Sequence, residues 1–221
     1  MKLFLQAVSK FIIGLLLLGL FIFLPAGTLR FTGGWLFLGL LFVPMVFLGV
    51  FLFIKAPELL KKRLNNKEKE SAQKGVTAFS ALIFVAGFIL AGLDFRFGWT
   101  NVPTWAVIVA VIVFLISYAL YAEVMRENAY LSRTIEIQED QKVIDTGLYG
   151  IVRHPMYAVT VFLFLSVPII LGSWISFAVF VFYPVLLVVR ILNEEKVLEA
   201  GLDGYADYKK KVKYRLIPFI W

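Results

Sequence analysis

A cation, an imidazole and a phenol stand together in Arg153-His154-Pro155-Met156-Tyr157, and an apolar run starts directly behind them. Where that run and the next one end, Arg190 is followed at i+4 by Glu194, with Glu195 beside it. His154 is the only histidine in 221 residues, and cysteine is absent. Disulfides, thiolate metal sites, a cysteine nucleophile and a histidine-rich metal centre are therefore excluded. What remains can hold a polar ligand: an arginine fork binds a carboxylate bidentately, and the glutamates can take positive or hydroxyl groups. A plainer account exists for each residue alone. Arg153 could snorkel to phosphate, Tyr157 could join an aromatic belt, Arg190 and Glu194 could form a weak interfacial ion pair, and Glu195 could hydrate a helix end. Ionisable groups this near apolar spans are functional candidates by default, and six of them meeting at one place favours a pocket.

Their meeting depends on the elements that carry them. The chain is 61% hydrophobic and 16% aromatic, with 22 Phe, against about 45–50% apolar in a soluble domain. It is an integral membrane protein by composition. Six apolar stretches can be drawn: Phe11–Leu24, Trp35–Ile54, Ala78–Leu93, Val102–Ala122, Tyr157–Leu171 and Trp174–Val189. They must be helical, since the bilayer offers no partner for open backbone groups and β-barrel alternation is missing. One helix over 155–189 would be about 52 Å long, beyond a hydrocarbon core of ~30 Å. Gly172-Ser173 lies near its middle, so a helical hairpin with two short arms is expected. Pro155 suits the first helical position, which leaves Arg153 and His154 beside free helix N–H groups, a setting that suits a carboxylate, with Tyr157 one turn in. The hairpin then folds Arg190, Glu194 and Glu195 back beside them. The expected fold is an all-α membrane protein, a polytopic helical bundle of five to six transmembrane segments ending in a helical hairpin and a C-terminal interfacial helix. Residues 1–122 hold four apolar transmembrane helices, and 123–221 hold an arm, the hairpin and a basic tail.

The net charge of +7 does not indicate nucleic acid, because the basic residues lie in short loops beside apolar spans. Lys55 to Lys74 and Arg190 to Arg215 carry seven cations each, while loops 25–34 and 94–101 hold only Arg30 and Arg96. With both termini cytoplasmic, 20 of 22 basic residues face inward, as the positive-inside rule requires. The run Phe11–Leu24 follows Lys2 and Lys10 without a small-x-small cleavage site and is read as a retained first helix. Between Glu123 and Arg153, the alternation from Arg133 to Gln138 and the turn at Glu139-Asp140-Gln141 suggest a small hairpin or an extended arm. The spacing of Tyr205, Tyr208 and Val212 predicts an amphipathic helix on the headgroups, with Lys209-Lys210-Lys211 facing lipid. Asp94 is expected to pair with Arg96 or to be hydrated.

At these residues the chain resembles the isoprenylcysteine carboxyl methyltransferase and phospholipid methyltransferase superfamily of integral membrane methyltransferases. The resemblance runs from Gly147-Leu148-Tyr149 through the Arg153–Tyr157 motif to Glu194-Glu195, then Tyr205, Tyr208, Val212 and Ile217-Pro218. It implies S-adenosylmethionine as cofactor and makes 123–221 the methyltransferase region. It further implies that Tyr149, His154, Pro155, Met156 and Tyr157 enclose the cofactor. Val143 and Ile144 would add backbone contacts, and Glu194 would bind the cofactor's polar end. Arg190 would be the catalytic residue that holds the reacting group, with Arg153 and Glu195 supporting it or the substrate. The family often has glycine where this chain has Val159, and its carboxyl methyltransferases often show a longer acidic run than Glu194-Glu195. Methyl transfer to an existing carboxylate needs alignment more than acid–base chemistry. An amine acceptor would need a base and would favour acidic or aromatic partners. Arg190 therefore tilts the reading toward carboxyl O-methylation of an isoprenylcysteine-like or other lipid-like substrate. The rivals are phospholipid or amine N-methylation, a nicotinamide-dependent reductase of the sterol type, and a membrane scaffold or transporter. The last fits poorly, since transporters keep polar groups near the midplane and the early spans here are almost uniformly apolar. The expected partners are a lipid-like or prenylated small substrate and membrane lipids, and the compact size points to a prokaryotic inner membrane.

Overall fold

The computed structural model describes residues 2–65, 71–132, 134, 135 and 137–221. The helices are α1 (Lys2–Ala26), α2 (Thr32–Lys55), α3 (Pro57–Leu64), α4 (Ser71–Phe97), α5 (Thr104–Glu127), α6 (Pro155–Ile170), α7 (Trp174–Phe180), α8 (Phe182–Gly201) and α9 (Tyr205–Lys211), with a 3-10 turn at Gly147–Gly150. Five spans are long and apolar enough to cross a membrane: α1, α2, Gln73–Phe97 of α4, α5, and α7 with α8 as Trp174–Gly201. Their outer faces carry bare apolar groups such as Leu16, Phe47 and Trp105, as lipid contact requires. The chain is thus a polytopic helical membrane protein, and no strand forms among the described residues.

The hairpin turns at Leu171-Gly172-Ser173, where Gly172 takes φ +78°. Its first arm, α6, has 16 residues, or about 24 Å, less than the ~30 Å core. The second arm corrects the expectation of two short arms, because its span is 28 residues long. Past Val189 the run Arg190 to Ala200 is rich in the good helix formers Arg, Leu, Glu, Lys and Ala, so the helix continues beyond the apolar stretch. Its one interruption, at Val181, falls where Pro184 has no N–H to offer the carbonyl of Phe180.

Aromatic rings fill the centre. Phe114 and Phe180 have no exposure, and the Phe84 ring meets Phe164, Phe180 and Tyr183 at centroid distances of 4.7, 5.3 and 5.3 Å. Gly87 lets α4 and α7 approach, since a Cβ there would lie 2.2 Å from the Phe180 ring. Ser176 Oγ uses that proximity to donate to the Gly87 carbonyl at 2.8 Å.

At the turn end of the hairpin, Asp94 is 1% exposed. It is buried rather than exposed to solvent and does not pair with Arg96, which lies over the Phe97 ring at 5.5 Å. Asp94 accepts from Thr100 N at 2.7 Å, Thr100 Oγ1 at 2.5 Å and Ser173 Oγ at 2.5 Å. Ser173 Oγ also accepts from Ser176 N at 3.0 Å and so caps α7. One carboxylate on α4 thereby fixes the turn of a hairpin that begins far along the chain.

Two further departures concern the polar segments. The arm after α5 is irregular with a turn at 138–141, where Gln141 N donates to the Gln138 carbonyl at 3.2 Å and Asp140 takes φ 56°. No strand hairpin forms among its described residues; Arg133 and Glu136 of the expected alternation lie outside them, as do Lys67 and Lys69 of the basic loop. The helix α9 does not rest its apolar face on headgroups. Tyr205, Tyr208 and Val212 are buried against Ile137, Val143 and Leu198 of the protein itself. Its lysines pair with carboxylates, Lys209 with Glu199, Lys210 with Asp207 and Lys211 with Asp145.

Candidate functional site

The open end of the hairpin brings α6, the end of α8, α9 and the start of α4 together. Pro155 occupies the first position of α6, with His154 as the residue before it. The tail returns along this segment: Arg153 N donates to the Tyr214 carbonyl and His154 N to the Arg215 carbonyl, both at 2.9 Å. Arg153 does not reach toward phosphate. It is 6% exposed, with Nε donating to Glu195 Oε1 at 2.7 Å and Nη1 to the Val212 and Lys213 carbonyls at 2.7 and 2.9 Å.

Glu195 is the hub of this layer. Its Oε1 also lies 3.3 Å from His154 Nε2, and its Oε2 accepts from Arg215 Nε at 2.9 Å. A buried carboxylate with three such partners is held because losing any one would strand a charge. Arg153, Glu195 and Arg215 therefore lock the tail to the hairpin.

Glu194 faces elsewhere, since successive helix residues are rotated by about 100°. It accepts a hydrogen bond from the Tyr157 hydroxyl. That hydroxyl in turn accepts from Arg190 Nε at 2.9 Å. One phenol oxygen thus bridges the arginine and the glutamate one turn apart on α8. The Tyr157 ring stacks on His154 at 5.7 Å, with the Arg190 guanidinium 5.9 Å from its centroid on α8's side. Arg190 Nη1 also donates to Gln73 Oε1 at 3.3 Å.

The 3-10 turn supplies Tyr149. Glu127, the last residue of α5, accepts from Leu148 N with both carboxylate oxygens, at 3.2 and 3.0 Å. Gly147 takes φ +53°, and a Cβ there would lie 1.6 Å from Glu127 Oε1, so no side chain fits. Tyr149 is buried, its hydroxyl accepts from Asn128 Nδ2 at 3.0 Å, and its carbonyl accepts from the Tyr208 hydroxyl at 2.7 Å. Burial raises the Tyr149 phenol above its ordinary value, so it stays protonated. Met156 and Ile144 pack with Tyr149, whereas the Val143 side chain goes to the other side, under Tyr205 and Tyr208.

The six charged and aromatic residues singled out from the sequence do converge, but in two layers. Arg153 and Glu195, with His154 reaching them, form a closed lock; Tyr157, Arg190 and Glu194 form a half-buried, more open triad. Sequence reasoning missed Gln73 and Arg215, and it named Tyr205 as a helix marker and as part of the resemblance without giving it a role. Gln73 had one available signal, an uncharged amide at the mouth of an apolar span.

Much of this layered end falls inside one stretch of chain. Residues 105–200 match the isoprenylcysteine carboxyl methyltransferase (ICMT) family. Over that stretch the chain is similar to the ICMT family. The family region begins on α5 and ends on α8, so it contains Tyr149, Tyr157, Arg190 and both glutamates. Gln73, Tyr205 and Arg215 lie outside it. A similar protein is the uncharacterized protein YpbQ of Bacillus subtilis (strain 168), 27% identical over 97 residues. That match covers 43% of this chain and 58% of YpbQ.

The residues present fit the cofactor that the ICMT family implies. Tyr205 is 4% exposed, and its hydroxyl has no hydrogen-bond partner. Burial first, and then the charges of Glu195 and Glu194, push its phenol up, so it remains a donor. An orphaned donor near an available Glu194 carboxylate, beside the aromatic faces of Tyr149, His154 and Tyr157, suits a ligand with amino, hydroxyl and planar heterocyclic parts. No group of three or more metal-ligating side chains occurs among the described residues.

Proposed function

We propose that the protein is an S-adenosylmethionine-dependent membrane methyltransferase that methylates a carboxyl group on a lipid-like or prenylated small substrate. The observation that carries this reading is the Tyr157 hydroxyl, bridged between Arg190 and Glu194 within the family region. Glu194, with the Tyr205 hydroxyl, would hold the cofactor's polar end, and Tyr149, His154, Pro155, Met156 and Tyr157 would enclose it, with Val143 and Ile144 lending backbone contacts. When bound, S-adenosylmethionine supplies an electrophilic methyl group on a sulfonium. Arg190 would fix the acceptor carboxylate by charge and fork geometry. Tyr157 ties Arg190 to Glu194, so the residue on the acceptor and the residue on the cofactor are held at a set separation. Alignment of that kind is the main demand of a displacement whose nucleophile is already ionised. Arg153 and Glu195 act behind this triad by holding the tail in place.

The basic residues crowd the end of the bundle that bears the site, which supports cytoplasmic termini and a cytoplasmic site under the positive-inside rule. The Bacillus relative supports a prokaryotic inner membrane.

The test is calorimetric binding of S-adenosylhomocysteine to the purified protein, followed by transfer of labelled methyl to membrane lipids. Binding and base-labile label, released as methanol, are expected. Arg190→Ala should leave S-adenosylhomocysteine affinity within about twofold and reduce transfer by roughly a thousandfold, about 4 kcal/mol of barrier. Absent binding in wild type overturns the reading, and methylated ethanolamine headgroups in lipid mass spectra would replace it with N-methylation.

A further inference from the structure

Gln73 lies at the start of the α4 span, is 1% exposed and belongs to no part of the matched family region. Its Oε1 accepts from Arg190 Nη1 at 3.3 Å. Arginine can only donate, so this bond fixes the orientation of the amide and leaves Nε2 as the second group. That Nε2 has no hydrogen-bond partner, although it is buried. Buried side-chain donors are almost always satisfied, and an unsatisfied one calls for an explanation. Here it sits on the neighbour of the one arginine already positioned to hold an acceptor.

We propose that Gln73 is the second acceptor-binding donor of the site: its Nε2–H, alongside the Arg190 guanidinium, receives the carboxylate of a lipid acid. The inference rests on the methyl-transfer reading above and specifies which acceptors that site takes. The guanidinium and the Gln73 Nε2 carry only donor hydrogens toward the acceptor, so they select a carboxylate oxygen over an ammonium. In the step served, a carboxylate oxygen forms the new O–CH3 bond as the S–CH3 bond breaks. The electron pair of the broken bond stays on sulfur, giving a neutral thioether and a methyl ester, and no proton moves. Gln73 would hold the second carboxylate oxygen, which leaves the first one aimed at the methyl group.

The experiment uses the full chain in lipid nanodiscs, with N-acetyl-S-farnesylcysteine and hexadecanoic acid as acceptor probes and S-adenosylhomocysteine as cofactor probe. Gln73→Leu removes the donor. Gln73→Glu keeps the shape, gives Arg190 a charged partner and places a negative group where the acceptor carboxylate belongs. Both should keep S-adenosylhomocysteine affinity within about twofold and raise KM for the carboxylate probes by roughly ten- to a hundredfold, the loss expected for a hydrogen bond to a charged group. Gln73→Glu should also melt no lower than wild type, which separates acceptor binding from a structural role, since a structural residue would lose stability and activity together. Unchanged KM in both variants overturns the assignment of Gln73. Wild type that binds S-adenosylhomocysteine but methylates neither probe overturns the carboxylate acceptor and leaves methyl transfer standing. Wild type that does not bind S-adenosylhomocysteine overturns the methyl-transfer reading itself.

Discussion

The hairpin formed by α6 with α7 and α8 has a polar centre at each end, and the two are built to opposite plans. At the turn, Asp94 is sealed from solvent and takes three hydrogen bonds from Thr100 and Ser173. A cleft of about 410 Å3 opens beside it, but the carboxylate in its wall is already spent on those donors. At the other end, Glu194 is only half buried, Gln73 Nε2 and Tyr205 Oη are buried without partners, and the phenol of Tyr157 mediates between opposite charges. The first centre has complete hydrogen bonding and no vacancy for a ligand. The second retains unused donors, which is how a binding site differs from a structural network made of the same residue types. Burial or charge alone would not have told them apart.

The contrast can be broken most easily at the turn. Asp94→Ala strands the hydroxyls of Thr100 and Ser173 and the Thr100 amide, and should cost about 3 kcal/mol or more, seen as a lower unfolding temperature in detergent. Its folded fraction should bind S-adenosylhomocysteine as wild type does, and a parallel drop in affinity would show that the two ends are one coupled unit. Glu194→Gln is the converse variant. It should weaken S-adenosylhomocysteine binding by roughly ten- to a hundredfold while stability stays within about 0.5 kcal/mol. A large loss of stability would instead place Glu194 in the lock with Glu195.

The smallest effect comes from the surface of the open end. The hydrogen bond and charge of Lys211 hold the Asp145 carboxyl below its ordinary value. A depressed carboxyl adds stability above its ordinary pKa and loses it as pH falls through the lowered one. Asp145→Asn should therefore flatten the acid limb of the melting-temperature profile slightly, and only at low ionic strength, because the pair is exposed. If the flattening persists in high salt, the pair belongs to the buried network instead.

The sequence was legible wherever physics is local. Apolar length located the spans, Gly172-Ser173 located the turn, and Pro155 located the start of α6. The hairpin then implied that Tyr157, Arg190 and Glu194 meet, because residues at similar distances on either side of a hairpin turn come to the same end. The resemblance gave the adjacent glutamates different tasks, but the hairpin alone could not, since the partners that separate them, Arg215 and Tyr157, approach from different directions. Asp94 was misassigned for a related reason: its neighbour in sequence was Arg96, but its partner in space was Ser173, 79 residues away. The tail helix carried an interfacial pattern, yet its apolar stripe met Val143 and Leu198 before it could meet lipid. Gln73 stayed invisible because a lone amide has no periodicity to reveal it.

The lock around Glu195 also orders events during synthesis. A chain enters the membrane from its N-terminus, so the hairpin and both of its glutamates are made before the tail that completes the site. Until Arg215 has been added, Glu195 has only Arg153 and His154 among its hydrogen-bonded side chains, and the backbone of 153–154 lacks the carbonyls of Tyr214 and Arg215. The nascent protein therefore passes through a stage in which every span is present and the polar end is still open. Closure of that end waits on Tyr214 and Arg215, so a ribosome that stalls before them leaves the hairpin inserted with Glu195 short of one of its partners.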